Sequence, residues 1–261
     1  MTYNRNKIKH GIRFNLNRND ISPIIKKYKI SRAVIMSAYS DLDFCKKNKK
    51  ISHRLNVVET KKLISKLIRN EMYFIFFSTE QVYNGNKGFY TETSETKPKN
   101  LYGRQKLLIE KFITKKTKNF CIFRVAKTYT NNLNDKTLIS DFLRKSKNKS
   151  VVYAAADQRF SPLYVLDLIK ITNFFLSKKI TGIFNVGGNE KVNRYNLYKF
   201  FNKNLKKNKK YKQVVILKKK IKHFNFFEKR PLNLTLNIRK LLKVIDFDLV
   251  SIKKIFLDIT K

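Results

Sequence analysis

Three short apolar runs, separated by stretches with helical periodicity, constrain this chain more than any other feature of its sequence. RAVIMSAYS (32–40), MYFIFFST (72–79) and NFCIFRV (119–125) read as strands that are apolar on both sides. Between them, RLNVVETKKLISKLI (54–68) and NLYGRQKLLIEKF (100–112) repeat apolar residues at helical spacing. Strands that alternate with helices pair in parallel, because a parallel neighbour can be reached only by a long crossover. The expected fold class is α/β: a doubly wound parallel sheet covered on both faces. Beyond Thr128 the pattern loosens into a helix near Leu138 to Lys145, a strand at SVVYAAA, a helix at YVLDLIKITNFFL and a strand at GIFNV. Residues 1–130 are expected to form the main domain. Residues 131–261 should form mainly a smaller lobe, with strands returning to the main sheet, since no repeat or long Gly/Pro/Ser linker divides the chain.

Charge is the next constraint. The 261 residues carry 59 Lys+Arg against 18 Asp+Glu, a formal net charge of +41, which points first to nucleic acid or anionic surfaces. The lysines are spread over nearly every segment alongside Asn, Ile, Phe and Tyr, as a general compositional bias would place them. No zinc-finger spacing, ribonucleoprotein motif or basic heptad array accompanies them, so no specific nucleic-acid partner is expected. The densest run, Lys203 to Lys222, is the best candidate for a polyanion patch. No apolar run approaches the roughly 20 residues needed to cross a bilayer, and the start of the chain lacks a secretory signal pattern, so a cytoplasmic location is expected. Cys45 and Cys121, with His10, His53 and His223, make no metal-ligand spacing; reduced thiols and no metal are expected.

In an open parallel sheet, ligands bind where the strands end. Ser37, Ala38 and Tyr39 follow the first run; Ser78, Thr79, Glu80 and Gln81 close the second; Arg124 lies at the end of the third. The helix beginning near Leu101 adds Tyr102 and Lys106, four residues apart, on a row that continues through Ile109 and Ile113. Leu101, Leu108 and Phe112 are expected to form the buried stripe beside that row. A free phenol titrates near pH 10, and a cation held nearby favours the phenolate, so such a pair is suited to proton transfer.

The segment FFSTEQVYNGNKGFYTETSETKPKNLYGRQKLLIEKF resembles the extended short-chain dehydrogenases/reductases, nearest to their dTDP-4-dehydrorhamnose reductase branch, where an ST..VY.G turn precedes a YxxxK helix. SAYSDLD, RLNVVET, DQRFSPLYVLDL, TGIFNVGG and EKRPLNLTLNIRKL resemble further motifs of that branch, so the likeness runs from about Ser31 to Leu257. The resemblance implies a Rossmann-like fold, NADP or NAD as cofactor and a nucleotide-sugar substrate, with a homodimer possible. It implies that Tyr102 donates a proton to a ketone, that Lys106 lowers the Tyr102 pKa and holds the nicotinamide ribose, and that Thr79 bonds the same carbonyl. Ser37, Ala38 and Tyr39 would line the cofactor; Glu80 and Arg124 would meet the substrate, Arg124 at its phosphates.

The departures are informative. STEQVYNG has Glu80 and Gln81 where the branch reads STDYVFDG, and RVAKTYT has lost the Trp and final Gly of RTSWVYG. The seven glycines stand at 11, 85, 88, 103, 182, 187 and 188, so no GxxGxxG phosphate loop occurs. TYNRN resembles the end of the family's second strand, which implies that the first strand, Gly-rich turn and first helix, about 30 residues, are missing through truncation or a misplaced start codon. Three readings follow: a nucleotide-sugar 4-keto reductase impaired in this form, a non-catalytic relative that binds a partner protein as the methionine adenosyltransferase regulatory subunit does, and a non-specific polyanion binder.

Overall fold

The apolar runs become neighbouring strands. In the computed structural model, which describes residues 2–3, 7, 9–17, 20–135, 137–148, 150–205 and 211–260, they form Arg32–Ile35, Tyr73–Thr79 and Phe120–Val125, and GIFNV forms Gly182–Val186. All four pair in parallel, in the order Gly182–Val186, Phe120–Val125, Tyr73–Thr79, Arg32–Ile35. Successive strand residues face opposite ways. Phe74, Phe76 and Ile122 therefore pack on Ile64, Leu67, Ile109 and Ile113 of the helices Thr60–Arg69 and Leu101–Lys116. Tyr73, Ile75 and Phe123 pack on Ile171 and Phe175 of the helix Val165–Lys178 on the other face. Both faces are covered, and each fully buried large side chain contributes about 1.5–3 kcal/mol. The fold is α/β with a parallel sheet.

A second cluster, with Tyr129, Phe142, Tyr198, Phe201 and Phe256, fills a lobe built on the helices Leu138–Asn148, Arg194–Lys203 and Ile252–Thr260. A two-stranded parallel pair, Val151–Ala155 with Val215–Lys219, covers it. Between these segments the chain returns to the main sheet as Gly182–Val186. Of the basic run Lys203 to Lys222, residues 206–210 lie outside the described residues.

Three local expectations need correction. The first strand ends at Ile35, and the chain from Met36 onward is a loop pinned by Asn56, whose Oδ1 accepts from the Tyr39 amide at 2.8 Å and whose Nδ2 donates to the Tyr39 carbonyl at 2.9 Å. Asn56 sits in a π-helical turn, Arg54–Glu59, where an uninterrupted helix was expected; π turns of this kind recur at functional sites. In the helix Leu101–Lys116 the buried row is Tyr102, Lys106, Ile109 and Ile113, while Leu108 is 44% exposed. Polar residues occupy this buried face because each has a partner: Gln105 donates to Ser52 at 3.0 Å and accepts from Asn56 at 2.8 Å, and Glu110 pairs with Arg124.

Candidate active site

The four strands point the same way, so their C-terminal ends share one rim. A cavity of 630 Å³ opens there, with Ala38, Thr79, Glu80, Tyr102 and Lys106 on its wall. Thr79 ends its strand in extended backbone, and its Oγ1 accepts from the Gln81 amide at 3.2 Å, which starts the short 3₁₀ turn Glu80–Val82. Asn100 caps the following helix: its Oδ1 accepts from the Gly103 amide at 2.8 Å, and its Nδ2 donates to Gln81 Oε1 at 2.8 Å. A Cβ at position 103 would lie 2.2 Å from the Gln81 carbonyl oxygen, so glycine is what lets the helix start this close to the turn. The spacing of YGRQK then places Tyr102 and Lys106 on the cavity that Thr79 also lines.

The electrostatics differ from the simple picture of a lysine tuning a phenol. Lys106 donates to the Phe77 carbonyl at 2.7 Å, lies 4.5 Å over the Phe76 ring centroid and stands 5.9 Å from that of Tyr102. Burial brings its pKa down to about 7, against the opposing pull of Glu110, so its charge is partial at neutral pH. The Tyr102 phenol is pushed above its ordinary value, first by burial and then by Cys45 and Glu80. Burial, not the neighbouring ammonium, sets the phenol, and Tyr102 is neutral at physiological pH. Glu80 is likewise pushed up to about 8 by burial, against the pull of Lys127, and its Oε2 is buried without a hydrogen-bond partner.

The remaining expected residues divide. Ala38 lies on the cavity wall. Ser37 is exposed, and Tyr39 packs on Phe44 with ring centroids 4.7 Å apart; neither lines the cavity. Arg124 does not face the cavity either. It is 4% exposed, its Nη2 lies 2.8 Å from Glu110 Oε2, its Nε donates to both Glu110 oxygens, and its Nη1 donates to the Tyr83 hydroxyl at 2.8 Å and the Glu92 carbonyl at 3.0 Å. Ser78 donates to Glu110 from the next strand. Arg124 does lie at the end of its strand, but its side chain points into the sheet's packing, where it holds the carboxylate of Glu110.

The cavity draws its open cations from elsewhere. Lys127, Arg159, Arg194 and Arg230 line the wall contributed by the chain after the third strand and by the second lobe. Arg194 donates to Tyr198 at 2.9 Å and lies 3.6 Å from Asp141; Arg230 pairs with Asp43 at 3.0 Å while its Nη1 is buried and unpartnered. Lys127 could have been found by the strand-end rule that selected Arg124, two residues later. Arg159 and Arg230 lie in DQRFSPLYVLDL and EKRPLNLTLNIRKL, segments that resemble motifs of the branch but were given no site role, and Arg194 has no local signature. Among the described residues no cluster of three or more His, Cys, Asp or Glu could hold a metal, and no helix is long and apolar enough to cross a membrane.

With this geometry in place, similarity to known proteins is informative. The chain is 26% identical over 167 residues to the dTDP-4-dehydrorhamnose reductase of Aggregatibacter actinomycetemcomitans, a match covering 64% of this chain and 56% of that protein. It is 26% identical over 186 residues to methionine adenosyltransferase 2 subunit beta of Xenopus tropicalis, covering 68% of this chain and 55% of that one. The chain therefore spans little more than half the length of these relatives. The fold superimposes on dTDP-4-dehydrorhamnose reductase from Bacillus anthracis in complex with NADP with a TM-score of 0.82 at 18% identity, over 94% of this chain and 84% of that one. Residues 14–257 match the RmlD substrate binding domain, and the chain belongs to that family.

Proposed function

We propose that the chain carries the carbonyl-reducing centre of an NAD(P)-dependent reductase acting on a 4-keto nucleotide sugar. The observation that carries this reading is the meeting of Thr79, Tyr102 and Lys106 on one cavity wall at the strand ends. The relatives named as dTDP-4-dehydrorhamnose reductases, one of them holding NADP, support it. The wall fits the nicotinamide and ribose end of such a cofactor: among the described residues Lys106 makes a single hydrogen bond, to Phe77, which leaves donors for ribose hydroxyls. The pyrophosphate end is not matched, because no GxxGxxG occurs in the 261 residues.

A bound nicotinamide supplies the hydride that adds to the carbonyl carbon. The protein's part is the oxygen. Thr79 donates a hydrogen bond to the carbonyl and fixes its direction. Tyr102, neutral because it is buried, gives its proton to the oxygen as the charge develops, and is reprotonated from solvent. A phenol raised in pKa suits this reducing direction, in which it acts as the acid. Lys106, anchored on the Phe77 carbonyl, would hold the nicotinamide ribose with its remaining donors. Glu80, beside Tyr102 and neutral over most of the physiological range, adds a hydrogen-bond donor where the branch has Asp.

Turnover at millimolar NADPH with a dTDP- or UDP-linked 4-keto sugar, followed by nicotinamide absorbance, tests the proposal. Slow turnover is expected from the wild-type chain. Tyr102→Phe should lower it about 10²- to 10⁴-fold, the usual worth of a general acid. A second reading has support of its own: the match to methionine adenosyltransferase 2 subunit beta runs over 186 residues, against 167 for the reductase, at the same 26% identity. Tight sugar-nucleotide binding with no reduction in either protein would select that non-catalytic, partner-binding role.

A further inference from the structure

The cation wall has a detail that the reductase reading leaves unused. Val125 pairs in register with Thr79, so Lys127, two residues on, stands one step beyond the rung that holds the carbonyl, facing Glu80. It lines the cavity and is open to it. Among the described residues no carboxylate approaches its Nζ within 4.0 Å, whereas Arg194 and Arg230 are each drawn to an aspartate. Burial pushes the facing Glu80 carboxyl up to about 8 and brings Lys127 itself down to about 8, so at pH 7 Lys127 is largely charged and Glu80 largely neutral. A neutral deoxyhexose offers such a cation hydroxyl and carbonyl acceptors but no anionic partner. The diphosphate of a nucleotide sugar is attached at C1, across the ring from a 4-keto carbon, and so lies away from this rung. The substituent on C5 lies next to the 4-keto carbon.

We infer that this cavity takes a nucleotide sugar whose hexose carries a carboxylate at C6, of the uronate class, and that Lys127 holds that carboxylate. The inference rests on the nucleotide-sugar reading above and names its substrate class. Lys127 stands where the related RTSWVYG pattern has Trp, so this position offers a charged hydrogen-bond donor in place of an indole. Arg159, whose strand pairs in register with the residue before Arg194, adds positive potential on the same side.

Calorimetry on the 261-residue chain at pH 7 tests this with UDP-glucuronate against UDP-glucose, which differ only at C6. The hydroxy sugars are the probes because a 4-keto uronate is a β-keto acid that sheds carbon dioxide. The wild type should bind the glucuronate about tenfold more tightly, the effect of one charge-assisted bond. Lys127→Met should bring the glucuronate down to the affinity of the glucose form, and Lys127→Arg should restore the preference. Lys111→Met, which removes an equal charge from an exposed helix position, should keep it. Equal affinities in the wild type, or a preference that survives Lys127→Met, would overturn the inference and leave the nucleotide-sugar reading intact. Failure to bind either sugar, UDP or dTDP would overturn both.

Discussion

Arg124 and Lys127 are cations three residues apart at the end of one strand, and the fold uses them in opposite ways. Arg124 is 4% exposed and tied to Glu110, Tyr83 and Glu92, so it joins the third strand to the helix that carries Tyr102. Lys127 has no ion-pair partner among the described residues and opens onto the cavity. The same contrast runs through the two walls. On the strand-end wall, Thr79, Tyr102 and Lys106 are buried and positioned by the Asn100 cap, the Gly103 contact and the Phe77 carbonyl. On the other wall, among the described residues, Lys127 and Arg159 make no ion pair, and Lys127 faces the buried Glu80 carboxyl. A wall whose polar groups are satisfied internally fixes geometry, which suits proton transfer. A wall whose charges are left open is suited to recognition.

The largest expected break in this comparison comes from Arg124→Met. It strands the Glu110 carboxylate in the core, and such a loss costs about 3–5 kcal/mol. Urea denaturation of the purified chain reads it directly, and a loss below about 1 kcal/mol would mean that Arg124 is not the structural cation described here.

The next effect is in pH. Glu80 titrates near 8 in the fold against 4.5 unfolded, so between those values the folded chain binds more protons and its stability falls as pH rises. Lys106 titrates near 7 in the fold against 10.5 unfolded; there the unfolded chain binds more protons and stability rises with pH. Glu80→Gln should therefore match the wild type near pH 4 and exceed it by about 1–3 kcal/mol at pH 8. A Glu80→Gln protein with the wild-type pH profile would show that this carboxyl ionises freely. The smallest expected stability effect is Lys127→Met, within about 0.5 kcal/mol, as for a residue outside the packed network. A larger loss would place Lys127 in the structural set beside Arg124.

Much of this was legible in the sequence. Continuous apolar runs named the parallel sheet, because a strand buried on both faces needs no polar alternation, and the YxxxK helix placed Tyr102 and Lys106 on one row. The orientation of that helix was not legible. Counting apolar residues favoured Leu101, Leu108 and Phe112, whereas the buried face holds Gln105, Lys106 and Glu110, whose burial depends on partners 14 to 53 residues away. The role of Arg124 failed for a related reason: its acid is on another element, and only the register of strand and helix shows that the pair closes. The recognition wall was only partly legible: the segments of Arg159 and Arg230 resembled motifs of the branch, but that they converge with Arg194 on one cavity follows from the tertiary fold alone.

Cofactor affinity is the remaining point of strain between the two walls and the sequence. Without a Gly-rich phosphate loop, NADPH is expected to bind the 261-residue chain more weakly than about 100 µM, since helix-terminus amides supply much of pyrophosphate binding. Low-micromolar binding by calorimetry would mean that other residues have replaced that loop.

The most direct test of the central claim, that the strand-end wall does the chemistry and the opposite wall the recognition, is steady-state reduction of a UDP- or dTDP-linked 4-keto sugar at fixed millimolar NADPH. Wild type, Tyr102→Phe and Lys127→Met would be compared side by side. Tyr102→Phe should lower kcat about 10²- to 10⁴-fold, with sugar KM nearly unchanged because the ring still packs. Lys127→Met should keep most of kcat. A Tyr102→Phe protein that turns over at the wild-type rate would contradict that claim.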